Sequence, residues 1–148
     1  MPMANDLACL INVFLAITAL VLYIIGSYRF YRNASGYTII LGIAIVIDIL
    51  TAVLASLKIT PTMEIAGTAR IPYHSILFII HVCFSMVGFV GFIALFIYLL
   101  IRNPSKYSRW VRMWQFRFLL PVWVIGECIA LVNALSKIFY GIRIFEYL

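Results

Sequence analysis

Polar residues are so sparse along this chain that they punctuate apolar runs rather than alternate with them. Four such runs stand out: Leu7 to Tyr28, Tyr37 to Leu57, Tyr73 to Ile101 and Phe118 to Phe139. Each reaches the ~20 residues that a helix needs to cross ~30 Å of hydrocarbon. Lipid offers no water to backbone N–H and C=O groups, so the pattern predicts helices at about 7–28, 37–57, 73–101 and 118–139. The third would extend ~43 Å at ~1.5 Å per residue, so it has to tilt or protrude. The expected fold is all-α, a single integral membrane domain over residues 1–148 arranged as an antiparallel four-helix bundle. The first run follows Asp6 rather than a basic stretch and exceeds the apolar part of a signal peptide, so it reads as a retained helix.

Composition agrees with the pattern. The chain is 66% hydrophobic and 11% charged, with a mean hydropathy of +1.11, whereas soluble domains carry about 25% charged residues. Eleven basic residues against five acids give a net charge of +6. They cluster at the ends of the apolar runs, so the charge reports orientation and contact with anionic headgroups, and no nucleic-acid module is present. Arg29, Arg32, Arg102, Lys106, Arg109, Arg112 and Arg117 lie in the first and third linkers; Lys58, Arg70, Lys137 and Arg143 lie on the opposite side. The positive-inside rule then expects both chain ends outside and the arginine-rich linkers in the cytoplasm, in a bacterial or archaeal cell membrane or an organellar inner membrane. The Asn33-Ala34-Ser35 sequon falls on that cytoplasmic side, where no glycan is expected. Cys9, Cys83 and Cys128 sit inside apolar runs with no CxxC spacing and read as small hydrophobes. The second linker, Lys58 to Pro72, is too short for a folded ectodomain.

The third linker contains SRWVRMWQFR. Helical spacing sets Trp110, Met113 and Trp114 on one side, with Arg109, Arg112 and Gln115 roughly opposite. Such a segment can lie in the headgroup plane. It reads as an ordinary belt of aromatic and basic residues, or as a contact for an anionic lipid or a partner subunit through Arg109, Trp110, Arg112, Met113, Trp114 and Arg117. Pro121 is expected in the first turn of the fourth helix, where its missing N–H costs little.

Ionisable side chains inside a span are costly and usually face the protein interior. Counted from the predicted helix ends, Asp48, His81 and Glu127 fall ~13, ~12 and ~18 Å below one boundary. Three titratable groups from three helices therefore share a layer, with Asn133 and Lys137 further along the last helix. Ala44, Asp48, Thr51, Ala52 and Ala55 form one inward stripe of small and polar residues, and His81, Ser85 and Gly88 another. The layer of Asp48, His81, Glu127 and Asn133 admits three chemistries: cohesion between helices, proton relay or a quinone pocket, and a metal held by His81, Asp48 and Glu127. Cohesion leads. His74 and His81 are stacked ~10 Å apart along one helix and cannot clamp one haem between them. No Ser/His/Asp signature, P-loop or GxGxxG is present, so no catalytic residue is assigned and no cofactor is expected beyond bound lipid, with a metal or haem as the alternative.

Three words of the sequence carry a resemblance: INVFLAITALVLYIIGSYRFYRN, IPYHSILFIIHVCFSM and YSRWVRMWQFRFLLPVW. Across roughly residues 8–140 they resemble a family of small four-helix membrane proteins, domain of unknown function four-hundred-and-twenty, whose genes often accompany cytochrome oxidase assembly. His81 stands where the family carries a histidine, and Pro121 and Trp123 match its Pro-x-Trp. The family's further histidines are missing from the linkers, which implies that any cofactor chemistry has been lost and favours a structural subunit. The leading expectation is a non-catalytic accessory or assembly subunit of a larger, respiratory or oxidase-like membrane complex, with other membrane subunits and lipids as partners. A metal, haem or quinone protein and a small proton or solute carrier are the alternatives.

Overall fold

The structure is a computed structural model. It describes residues 2–65, 76–101, 109–140 and 144, with side chains placed for 10–54, 76–101, 109–140 and 144. The chain forms helices α1 (Pro2–Tyr31), α2 (Tyr37–Ile65), α3 (Ile76–Ile101), α4 (Arg109–Trp114) and α5 (Leu120–Tyr140), with a π-helical turn (Gln115–Leu119) joining the last two. No strand occurs among the described residues. Four stretches are long and apolar enough to cross a membrane, the fourth running unbroken from Arg109 to Tyr140. Only 22–28% of each span is buried within the protein. The remaining surface is covered by side chains such as Phe14, Ile39 and Ile101, at least 70% exposed. Apolar surface on that scale is untenable in water and matches lipid, which gives a multi-pass membrane protein.

The helices are longer than the apolar runs that betray them. Each added residue gains a backbone hydrogen bond once a helix is nucleated, so α1 begins at Pro2 and α2 continues to Ile65, taking in residues expected as linker. The largest departure is in the fourth span. The segment expected as a separate in-plane helix is continuous with the span, and Pro121 therefore lies in its interior rather than in its first turn. A proline there lacks an N–H, and its ring crowds the carbonyl four residues back, at Arg117. The π turn sits directly ahead of it, with the Leu120 N–H reaching back five residues to the Gln115 carbonyl. The widened turn accommodates the ring without breaking the helix.

A tight turn joins α1 to α2. Asn33 is left-handed (φ 56°), Ala34 N–H donates to the Arg29 carbonyl at 2.9 Å, and Asn33 N–H donates to the Phe30 carbonyl at 3.1 Å. These are the paired bonds of a Schellman cap, which satisfy carbonyls that a helix end leaves open. The Arg29 guanidinium reinforces the turn by donating to the Ser35 carbonyl from Nε and Nη2 at 2.9 and 2.6 Å.

Packing follows from this turn and from small residues. α1 lies along α2 and also against α5, α3 lies along α5, and α2 meets α3 over a shorter seam. That last seam leaves an apolar groove of about 430 Å³ between Gly42, Ile43, Val46 and Ile47 of α2 and Phe96 and Leu100 of α3. At the α3–α5 contact, Gly88 faces the Trp123 backbone and Gly126 faces the Ser85 backbone so closely that no side chain fits at either glycine. Gly88→Ala forces α3 away from Trp123 and should lower unfolding free energy by about 1–3 kcal/mol. Gly42→Ala meets only the far end of the Phe96 ring and should change it by less. Unfolding titrations of both variants in mixed micelles check the contrast; equal losses would remove the close-approach argument.

Candidate functional site

The polar side chains of the spans gather into two adjoining constellations. In the first, Asp48 of α2 is buried at 9% exposure. Its Oδ2 accepts from Trp123 Nε1–H of α5 at 3.2 Å and from the Tyr23 hydroxyl of α1 at 3.3 Å. One carboxylate oxygen thus joins three helices. Thr51 donates to the Asp48 backbone carbonyl at 2.7 Å, which keeps its own hydroxyl satisfied within α2. The two donors belong to an aromatic group. The Tyr23 ring packs against Trp123 at 4.2 Å and Phe92 at 4.4 Å between centroids, and Phe92 meets Trp123 edge-on at 6.2 Å. All three are at most 1% exposed, so the apolar bodies fill the core while the polar tips converge on Asp48.

The second constellation lies one turn further along α5. His81 Nδ1 is 2.8 Å from the Gly126 carbonyl and 3.1 Å from Ser85 Oγ, and the Ser85 hydroxyl donates to Glu127 Oε1 at 3.1 Å. A carbonyl only accepts, so Nδ1 carries a proton. The single hydroxyl proton of Ser85 then goes to Glu127, while its lone pair faces His81. The i, i+4 spacing of His81 and Ser85 and the bare Gly126 backbone place these groups within reach.

Of the residues predicted from the sequence, His81 and Glu127 are brought together through Ser85, and Asp48 is engaged separately through Trp123, one turn from Glu127. Asn133 is half-buried two turns beyond Glu127. His74 and the Ala55 side chain lie outside the described residues. Ala44, Asp48 and Thr51 face inward, but Ala52 is exposed because the buried face of α2 is centred on Leu41, Ala44 and Asp48. Among the described residues, no group of three or more His, Cys, Asp and Glu converges in a metal-binding geometry. Cys83 and Cys128 are free and exposed on the outer surface of their helices.

Tyr23 and Trp123 contribute without having been selected as site residues from the sequence, Trp123 entering only through the Pro-x-Trp of the resemblance. Their type is common in this chain, with nine Tyr, eleven Phe and three Trp, so neither stands out from a belt or core aromatic. Gln115 also departs from expectation. Rather than lying on a solvated basic face, it is fully buried, and its amide nitrogen donates to Ser27 Oγ of α1. The π turn rotates it inward. Of the interfacial residues, Arg109, Trp110, Trp114 and Arg117 are exposed and Arg112 and Met113 half-buried. Trp110 and Trp114 stack at 6.4 Å.

Fold and site together define a helical, multi-pass membrane protein whose spans are tied by internal polar contacts. No family model, curated protein or solved structure matches the chain.

Interhelical hydrogen bonds of this kind average about 0.6 kcal/mol each, but a buried acceptor stripped of every donor costs about 1–3 kcal/mol or more. Tyr23→Phe and Trp123→Phe each leave Asp48 one donor. The double variant leaves it none of these two, so its loss of unfolding free energy should exceed the sum of the single losses. A double-mutant cycle by denaturant titration in micelles measures the coupling, and simple additivity would show that the two donors do not act on one acceptor.

Proposed function

We propose that this protein is a non-catalytic accessory or assembly subunit of a larger membrane complex, its four spans forming an antiparallel bundle with both chain ends outside. The observation that carries the reading is how the interior polar groups are used. Asp48 is engaged by Tyr23 and Trp123, Glu127 by Ser85, and His81 by Gly126. These bonds join one helix to another, and none of these side chains is among the described residues lining the apolar groove at the α2–α3 seam. Side chains committed to one another give cohesion. A wide apolar exterior and short connections suit a protein held among other membrane subunits. Seven basic residues on one side against four on the other support the cytoplasmic placement of the arginine-rich ends. A respiratory or oxidase-like complex in a bacterial, archaeal or organellar inner membrane is favoured by the family resemblance alone.

A second reading rests on one feature. His81, Ser85 and Glu127 form an unbroken hydrogen-bonded chain between two titratable groups, an arrangement suited to proton movement beside a quinone or metal.

Purification from native membranes in a gentle detergent separates these readings. Co-migrating subunits are expected on native gels, together with a featureless visible spectrum and no stoichiometric metal. Recovery as a lone monomer would overturn the accessory-subunit reading. A bound chromophore or metal lost in His81→Ala would establish the second.

A further inference from the structure

A cleft of about 320 Å³ opens where the end of α1 meets the start of α4, lined by Tyr31, Arg32, Arg109, Arg112 and Met113. Three of the five described residues that line it are arginines, and the stretches of chain that build it carry no acid. The five acids are Asp6, Asp48, Glu64, Glu127 and Glu146, so residues 7–47 and 65–126 contain none. The nearest acid along the fourth span, Glu127, is fifteen residues from Arg112, or ~22 Å along a helix, and its carboxylate accepts from Ser85.

Arg109 and Arg112 stand one turn apart on α4 and Arg32 closes the set from the end of α1, so three like charges converge where an anion between them would relieve their repulsion. Guanidinium forks match phosphate oxygens in pairs, which makes arginine the side chain suited to this task.

The surroundings say which anion. Trp110 and Trp114 stack on the adjoining flank of α4, 66% and 43% exposed, as aromatic residues do at the level of lipid headgroups. Tyr31 stacks on Phe116 at 4.9 Å, closing one wall with apolar surface. Below the cleft, α1 presents exposed Tyr28, Ile25 and Ile24, a path along which acyl chains can lie.

We propose that the cleft between Arg32, Arg109 and Arg112 binds the phosphate headgroup of an anionic phospholipid, with its acyl chains running down the apolar flank of α1. This site is independent of the accessory-subunit reading: it would exist in a lone monomer as well as in a complex.

The test uses the full chain, delipidated in detergent and titrated with phosphatidylglycerol or phosphatidylcholine, with bound lipid counted by native mass spectrometry. Phosphatidylglycerol should bind preferentially and resist competition by excess inorganic phosphate. Arg32→Gln, Arg109→Gln and Arg112→Gln should each weaken it about fivefold, the equivalent of one basic residue at a membrane surface, and Lys137→Gln, a basic residue at the far end of α5, should leave it unchanged. Arg32 is exposed at the end of α1, so its variant keeps the test open should substitutions in α4 disturb folding. Equal retention of the two lipids, unchanged binding by the triple arginine variant, or displacement by inorganic phosphate would overturn the proposal. So would loss of a co-purifying protein in the triple variant while phosphatidylglycerol binding persists.

Discussion

A carboxylate inside a membrane has nowhere to turn but to its own protein, and the position of Asp48 orders much of what surrounds it. Lipid supplies no donor, so its oxygen takes one from α1 and one from α5. Both come from aromatic side chains long enough to reach across a helix interface while burying their rings. Trp123 can reach only because Gly88 presents bare backbone on its other side. The same residue therefore fixes the distance from α5 to α3 and the contact of α5 with α2. Hydrophobicity provides little of this specificity in lipid, because a leucine is as well solvated by acyl chains as by another leucine. Close packing at glycines and directional bonds to Asp48 select one arrangement from many that would be equally apolar.

Much of this was legible in the sequence. Run length and the scarcity of charge fixed the number of spans, because backbone polar groups have a single way of being satisfied in hydrocarbon. The inward-facing residues were legible for a related reason: Asp48, His81 and Glu127 stood out against apolar neighbours, and Ser85 and Gly88 followed His81 at helical spacing. Their partners were not. Tyr23 and Trp123 are chemically ambiguous, equally at home in a belt, a core or a lipid-facing surface, and pattern alone does not choose among these. Helix ends were misplaced for another reason. Hydropathy marks the edge of the apolar stretch, but helical hydrogen bonding propagates past it, as at Pro2 and Ile65.

Pro121 shows how one local constraint moves distant groups. Read as a helix start, it separated a span from a surface segment. In the structure it is absorbed by a π turn, and the extra residue in that turn changes the rotation of everything ahead of it. Gln115 swings inward to Ser27, a position that a regular amphipathic reading of α4 would not assign it. Its Oε1 has no hydrogen-bond partner among the described residues, so the amide is held by one end. One turn and more ahead of Gln115, Arg109 and Arg112 line the cleft beside Arg32 at the end of α1, so the π turn lies between the proline and the arginine cleft on one continuous span.

The vertical order of polar groups bears on what the interior can do. From Trp123 to Arg112 is eleven residues, or ~16 Å along the fourth span. Within that interval the core is filled by Phe30, Leu41, Phe92, Leu95, Leu119 and Leu120, and the Ser27–Gln115 pair is the polar contact found there among the described residues. Protons move along unbroken chains of hydrogen-bonding groups, and solutes need a wetted path. Here the His81–Ser85–Glu127 chain meets a plug of large apolar side chains before the arginine face is reached. Among the described residues the polar groups of the layer and the arginines of the cleft are thus two separate sets, the first spent on contacts between helices and the second on the surface.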